Sequence, residues 1–230
     1  MVEPVLVAWS GGKDSALALR AVLADPTLAV EALLTTVTRE YDRISVHGVR
    51  RSLLRAQAAA LGLPLVEMEI PASCSNATYE ESLARSLCAA RERNDRVSRC
   101  VFGDLFLEDV RRYREERLSA LGMEAIFPLW GQETSGVASA FFDDGFRAVV
   151  VCVDSTTLAP NFSGRLYDAS FVADLPRDVD PCGENGEFHT FVYDGPLFRE
   201  RVEFTIGERV TRDERFVYTD LVAPIADASR

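Results

Sequence analysis

A chain of 230 residues with 47% hydrophobic side chains and ordinary glycine and proline content can bury a full core, as one large domain or one with a smaller appendage. Its 36 acidic against 25 basic residues give a formal charge of −11, which excludes the broad basic face of a nucleic-acid binder and leaves only a local basic groove open. No apolar run is long enough for a membrane span, and no charged-then-apolar leader is read before the first strand. The five cysteines (Cys74, Cys88, Cys100, Cys152, Cys182) lack zinc-ligand or CxxC spacing, so reduced thiols and a cytoplasmic location are expected.

Apolar, β-branched runs predict strands at Val5–Trp9, Val30–Val37, Pro64–Ile70, Cys100–Phe102, Ala125–Leu129 and Ala148–Val153. Helical spacing fills the intervals at Asp14–Leu23, Val49–Leu61, Tyr79–Arg93, Glu108–Leu121 and Thr134–Phe142, with Gly62 as a stop after the second. Short continuous apolar strands alternating with helices predict an α/β fold, a parallel sheet covered by helices on both faces. Right-handed crossovers put the carboxyl ends of all its strands on one edge, where ligands bind. After Asp154 the pattern changes. Pro160, Gly164, Pro176 and Pro181 interrupt the next stretch, and Phe188–Val192, Val202–Ile206 and Arg215–Leu221 read as antiparallel strands. The expected organisation is residues 1–154 as a nucleotide-binding domain and 155–230 as a C-terminal substrate-binding region.

Ser10-Gly11-Gly12-Lys13-Asp14-Ser15 lies between the first strand and the first helix, and Lys13 is the only lysine in the chain. Glycines let an anion approach the main chain, the first helical turn offers N–H groups, and the helix dipole favours negative charge. Ser10 and Ser15 add hydroxyls, and the compact Lys13 ammonium is not interchangeable with the planar fork of arginine. The spacing differs from the longer GxxxxGK[ST] loop. Asp14 either caps the helix or helps to hold Mg²⁺.

The hexapeptide resembles the signature of the PP-loop ATP pyrophosphatases, which cleave ATP between the α and β phosphates. That resemblance implies that Ser10–Ser15 hold the leaving pyrophosphate with Lys13 as a catalytic charge. It also puts the adenine against the backbone near Leu34–Val37, with Thr36, Gly103 and Asp104 on the nucleotide side.

Three further stretches carry chemistry. His47-Gly48-Val49-Arg50 precedes a helix and holds one of only two histidines, so His47 and Arg50 are candidates for substrate contact. Gly103-Asp104-Leu105 follows a buried strand and leads to Asp109, Arg112, Arg114 and Glu116; positions 109, 112 and 116 fall at i, i+3, i+7 on a single helical face, and Asp109 and Arg112 are candidates for substrate contact. Cys182-Gly183-Glu184-Asn185-Gly186-Glu187-Phe188-His189-Thr190 crowds two carboxylates, an amide, an imidazole and a hydroxyl together, and Gly195-Pro196-Leu197-Phe198 follows. In an extended segment Glu187 and His189 share one face, and either is a candidate base for an amine. Glu184, Asn185 and Thr190 are candidates for substrate contact.

With Leu129-Trp130, these stretches resemble the diphthine–ammonia ligase family of PP-loop enzymes over most of the chain, from Leu6 to about Phe198. The form G-E-N-G-E-F-H-T is similar to archaeal and bacterial members. The resemblance implies a HUP-type, Rossmann-like domain with a C-terminal substrate region, and ATP and Mg²⁺ as cofactors. It further implies adenylation of a substrate carboxylate followed by attack of ammonia or an amine; in the family the acceptor is diphthine on elongation factor 2. The acceptor of this chain stays open. So do a non-catalytic module that senses ATP or AMP, a PP-loop enzyme for another acceptor, and sulfur transfer through Cys182.

Overall fold

The structure, a computed structural model, describes residues 2–224. Its first sheet has five parallel strands, β1 (Glu3–Ala8), β2 (Leu28–Thr38), β4 (Leu65–Ile70), β5 (Arg99–Val101) and β6 (Glu124–Ile126), in the order β4-β2-β1-β5-β6. Short β3 (Arg43–Ile44) pairs antiparallel with the end of β2. β1 is buried on both faces, as its unbroken apolar run requires. Val5, Val7 and Trp9 belong to one core with helices α1 (Lys13–Ala24), α2 (Arg51–Leu61) and α5 (Thr134–Asp143). Leu6 belongs to another with α3 (Asn76–Arg93) and α4 (Glu108–Ser119). Successive strands step from β1 to β2 to β4, then return to the other side of β1 for β5 and β6. The order therefore reverses between β1 and β5, and a crevice opens there beyond their carboxyl ends.

The second sheet is antiparallel throughout: β7 (Arg147–Asp154), β8 (Leu166–Tyr167), β9 (Phe188–Asp194), β10 (Thr205–Arg212) and β11 (Phe216–Val222). Two expectations are corrected here. The Ala148–Val153 run forms a strand, β7, but β7 pairs with β8, β9 and β11 rather than with the parallel sheet. It lies buried between layers, and an apolar run produced by burial on both faces does not reveal which sheet holds it. The strand expected at Val202–Ile206 instead starts at Thr205; Val202 is a buried anchor whose N–H donates to the Tyr193 carbonyl at 2.8 Å.

One apolar core runs from α1, α2 and α5 through β7, β9 and β11, so the second sheet packs on the same face of the first as those helices. A short helix, α6 (Ala169–Ala173), adds Phe171 to it, packed edge-on to Phe188. Among the described residues no helix is long and apolar enough to cross a membrane.

Candidate active site

The Ser10–Ser15 turn leaves β1 at the reversal point and enters α1 at Lys13. Gly11 has φ +78°, and a Cβ there would lie 2.7 Å from Gln57 Oε1, so both its backbone and its close neighbour require glycine. Behind the turn, a Cβ on Gly103 would meet the Asp14 carbonyl at 2.7 Å, which lets the end of β5 abut the first turn of α1.

The turn is bolted to β9. The Lys13 N–H donates to Thr190 Oγ1 at 3.0 Å, and the Val192 N–H donates to the Gly11 carbonyl at 2.9 Å. Fully buried Gln57 completes the joint. Its Nε2 donates to the carbonyls of Gly11 (3.0 Å) and Val192 (2.6 Å), and its Oε1 accepts from the Trp9 indole at 3.1 Å. The loop amides are therefore partly engaged: the Gly12 N–H also donates, at 3.3 Å, to Ser10 Oγ. Ser15 Oγ donates back to the Gly12 carbonyl at 2.8 Å, tightening the turn from within.

A cleft of about 600 Å³ lies in front, lined by Ser10, Lys13, Asp14, Ser15, Thr36, His47, Gly103, Asp104, Glu184, His189 and Thr190 among others. Lys13 is 4% exposed and pairs with Asp14 Oδ2 at 2.8 Å, with the rings of Phe188 and Tyr167 5.6 and 5.9 Å from its ammonium. Burial pulls that ammonium down, but Asp14, Cys182 and Glu184 outweigh it and hold Lys13 above its ordinary value. Burial raises the Asp14 carboxyl, against Lys13 and with Asp104 adding to the rise. Glu184 accepts the Leu105 N–H at 2.7 Å, and burial lifts its carboxyl to about 7, with Asp14 and Asp104 contributing. Asp104 is held by Arg114 at 2.8 Å, and the Arg114 guanidinium lies 4.5 Å from the centre of the Phe102 ring.

The only two histidines meet here, with His47 and His189 ring centroids 4.6 Å apart. His47 Nδ1 lies 3.2 Å from the Thr190 carbonyl, the geometry of a donated N–H that leaves Nε2 as an acceptor. Burial holds His47 down at about 4, and burial with His47 and Lys13 holds His189 well below the usual range, so both are neutral. The turn before His47 is unusual: Val46 has φ +68°, and the His47 N–H closes on the Ser45 carbonyl at 2.8 Å. A β-branched residue in that region costs about 1–3 kcal/mol.

Arg50, Asp109, Arg112, Asn185 and Glu187 lie away from the cleft wall, whereas Cys182 is part of it. Arg50 pairs with Asp220 at 2.6 Å, and Arg43 shares the same carboxylate at 2.8 Å, which ties α2 to β11. Asp109 and Arg112 are exposed on α4; the residues of that helix that reach the cleft are Tyr113, Arg114, Arg117 and Leu118. Glu187 precedes β9 and is not on its face. Its Oε1 accepts from the Asp180 N–H (3.2 Å) and from Asn185 Nδ2 (3.0 Å), so Glu187 and Asn185 brace the loop that presents Glu184. Cys182 is buried, donates to the Thr134 carbonyl at 3.2 Å, and is pushed by burial up to about 12, a protonated thiol. Gln57 and Tyr167 support the site without any motif to announce them, whereas Arg114 stood within the acidic and basic run after Gly103-Asp104.

Asp14 Oδ1 is buried with no hydrogen-bond partner among the described residues, which suits a hard cation. No group of three metal-ligating side chains stands there among the described residues. Mg²⁺ does not need one, because it takes one or two carboxylates and completes its shell with phosphates and water.

A glycine turn at the reversal point of a parallel sheet, opening on a cleft with a buried lysine, defines a nucleotide-binding α/β enzyme. Residues 3–125 match the profile of the diphthamide synthase N-terminal domain and residues 133–220 that of the diphthamide synthase C-terminal domain, and the chain belongs to this family. A diphthine–ammonia ligase of Danio rerio is 27% identical over 236 residues, a match covering 94% of this chain and 90% of that protein. One of Schizosaccharomyces pombe is 24% identical over 222 residues, covering 90% of this chain, and one of Bos taurus is 27% identical over 126 residues, covering 52%. These matches span 37% of the yeast protein and 45% of the bovine one, less than half of each.

Proposed function

We propose that this chain is an ATP-dependent amide ligase that adenylates a substrate carboxylate, releases pyrophosphate and transfers the acyl group to ammonia or an amine. The observation that carries this reading is the joint at Thr190, whose hydroxyl receives the Lys13 N–H at 3.0 Å. Through it the phosphate turn and the Cys182–Thr190 block face one cleft. The relatives' names supply the reaction class and make diphthine the first acceptor to test; its carrier, elongation factor 2, is what the family resemblance implies.

In this reading Ser10, Ser15 and Lys13 hold the β- and γ-phosphates and take up the charge that grows on the departing pyrophosphate. Asp14 holds Mg²⁺, which when bound neutralises charge on the triphosphate. Leu34–Thr36 and Met68 receive the adenine. Arg114, fixed by Asp104, and Arg117 add positive charge at the cleft wall opposite Lys13. Attack of the carboxylate oxygen on the α-phosphorus expels pyrophosphate, and attack of the amine on the acyl carbon expels AMP. Glu184 takes the amine proton, because a carboxyl near neutrality exchanges protons at physiological pH, and neutral His189 offers a lone pair that can orient the amine. Glu187 acts one step back, as a positioning residue for Glu184. The protonated thiol of Cys182 speaks against sulfur transfer.

The test is product analysis with ATP, ammonium chloride and diphthine-bearing elongation factor 2. AMP and pyrophosphate are expected, and Lys13→Ala should lower their release by about 100-fold or more. Release of ADP and phosphate, or undiminished pyrophosphate release by Lys13→Ala, would overturn the assignment.

A further inference from the structure

A second cleft of about 560 Å³ lies beside the first, and the two share a wall made of Ile44, Ser45 and Val46. We propose that this second cleft seats the body of the acceptor, a polypeptide segment, whose carboxylate-bearing side chain crosses the Val46 turn to reach the nucleotide; this rests on the adenylating reading above.

The first argument is space. Clefts of roughly 300–1,000 Å³ each enclose one drug-sized ligand. With a nucleotide inside, a first cleft of about 600 Å³ admits the reacting group of an acceptor but not its carrier. The carrier needs an adjoining site, and the neighbouring cleft has comparable size and a common wall.

The second argument is Val46. Its side chain is 66% exposed, so no burial compensates for its left-handed φ of +68°. Glycine would adopt that turn without strain. Strain kept at an exposed position between two clefts indicates a side chain held out for a ligand. The turn is also anchored from the second-cleft side, where the Tyr218 hydroxyl donates to the Val46 carbonyl at 3.2 Å and Arg43 donates to the Gly48 carbonyl at 2.7 Å.

The third argument is composition. Tyr41 is 52% and Val210 44% exposed, and the Arg212 guanidinium lies 5.1 Å from the Tyr41 ring centre and 5.9 Å from that of Tyr218. Tyrosine and arginine beside exposed aliphatic groups are what protein–protein hot spots are made of. An open wall of this kind, with exposed aromatic, aliphatic and guanidinium groups side by side, fits a peptide better than a small metabolite.

The experiment uses the full chain with a benzophenone attached to Val210→Cys, in a Cys88→Ser background, and purified diphthine-bearing elongation factor 2. The control carries the same label on Leu23→Cys, an exposed site near the far end of α1. The expected result is at least tenfold more cross-linking at 210 than at 23, lost on adding unlabelled protein. Equal yields, or none at 210, would overturn the proposal. Turnover by the unlabelled wild type is measured in parallel, so cross-linking without AMP release removes the ligase reading and leaves the docking site standing. AMP release without cross-linking does the reverse. Val46→Gly should raise the melting temperature yet cut the cross-link yield at least fivefold; an unchanged yield takes Val46 out of the acceptor's path.

Discussion

Gln57→Leu tests whether the phosphate turn is held in place by β9. Leucine keeps the volume but removes three hydrogen bonds from a fully buried position. The Trp9 indole N–H is left without an acceptor, at about 1–3 kcal/mol, and the carbonyls of Gly11 and Val192 each lose a donor, at about 0.5–1.5 kcal/mol apiece. Gly11 keeps its bond from the Val192 N–H, so the net loss is about 2–4 kcal/mol. For a chain of this size that lowers the melting temperature by roughly 5–15 °C, read by circular dichroism. Calorimetric titration with Mg-ATP should show affinity at least tenfold weaker, because Gly11 is no longer fixed. A cycle with Trp9→Phe isolates the orphaned donor: the double variant should cost less than the sum of the singles by about 1 kcal/mol or more. A melting temperature within 2 °C of wild type, or strict additivity, would refute the clamp.

Three further outcomes are expected. Glu184 has a folded value of about 7 against an ordinary 4.5, so the native state holds extra protons between those values and loses stability as pH rises through them. Glu184→Gln should therefore gain stability relative to wild type between pH 5 and 7.5 in thermal melts, and a constant difference would refute this. The depressed values of His47 and His189 mean that their contribution is lost as pH falls below 6.5, for His47 through about 4, and their imidazole NMR signals should stay flat from pH 8 to 6; a midpoint near 6.5 would refute their burial as neutral groups. Arg50→Ala should cost about 0.5–1 kcal/mol, allowing for solvent screening of its half-exposed pair with Asp220, and leave Mg-ATP affinity within twofold; a large affinity loss would return Arg50 to the substrate site.

The parallel sheet was legible because its strands are short apolar runs between helices of the right period. The glycine turn was legible as the join between the first strand and the first helix, because Ser10–Ser15 follows an apolar run and leads into a helical pattern. Less visible were features set by partners distant in sequence. The apolar face of β7 looks the same in either sheet, and β10, exposed along most of its length, has little apolar rhythm to detect. Glu187 and Glu184 could not be ranked from spacing, since the loop before β9 turns one inward to its own backbone and the other to the cleft. Gln57 is one polar residue in an ordinary amphipathic helix, and its role exists only because Trp9, Gly11 and Val192 converge on it.

The bond between Lys13 and Thr190 spans 177 positions of sequence, and the Arg50–Asp220 pair spans 170. Closing loops of that length is a late event in folding. On the ribosome the Ser10–Ser15 turn emerges well before β9, and it lacks the Thr190 hydroxyl and the Val192 amide until the 177 positions between Lys13 and Thr190 have been made. The nascent chain thus carries its glycine turn unbraced until β9 arrives, and the completed turn is a sign that the second sheet has docked.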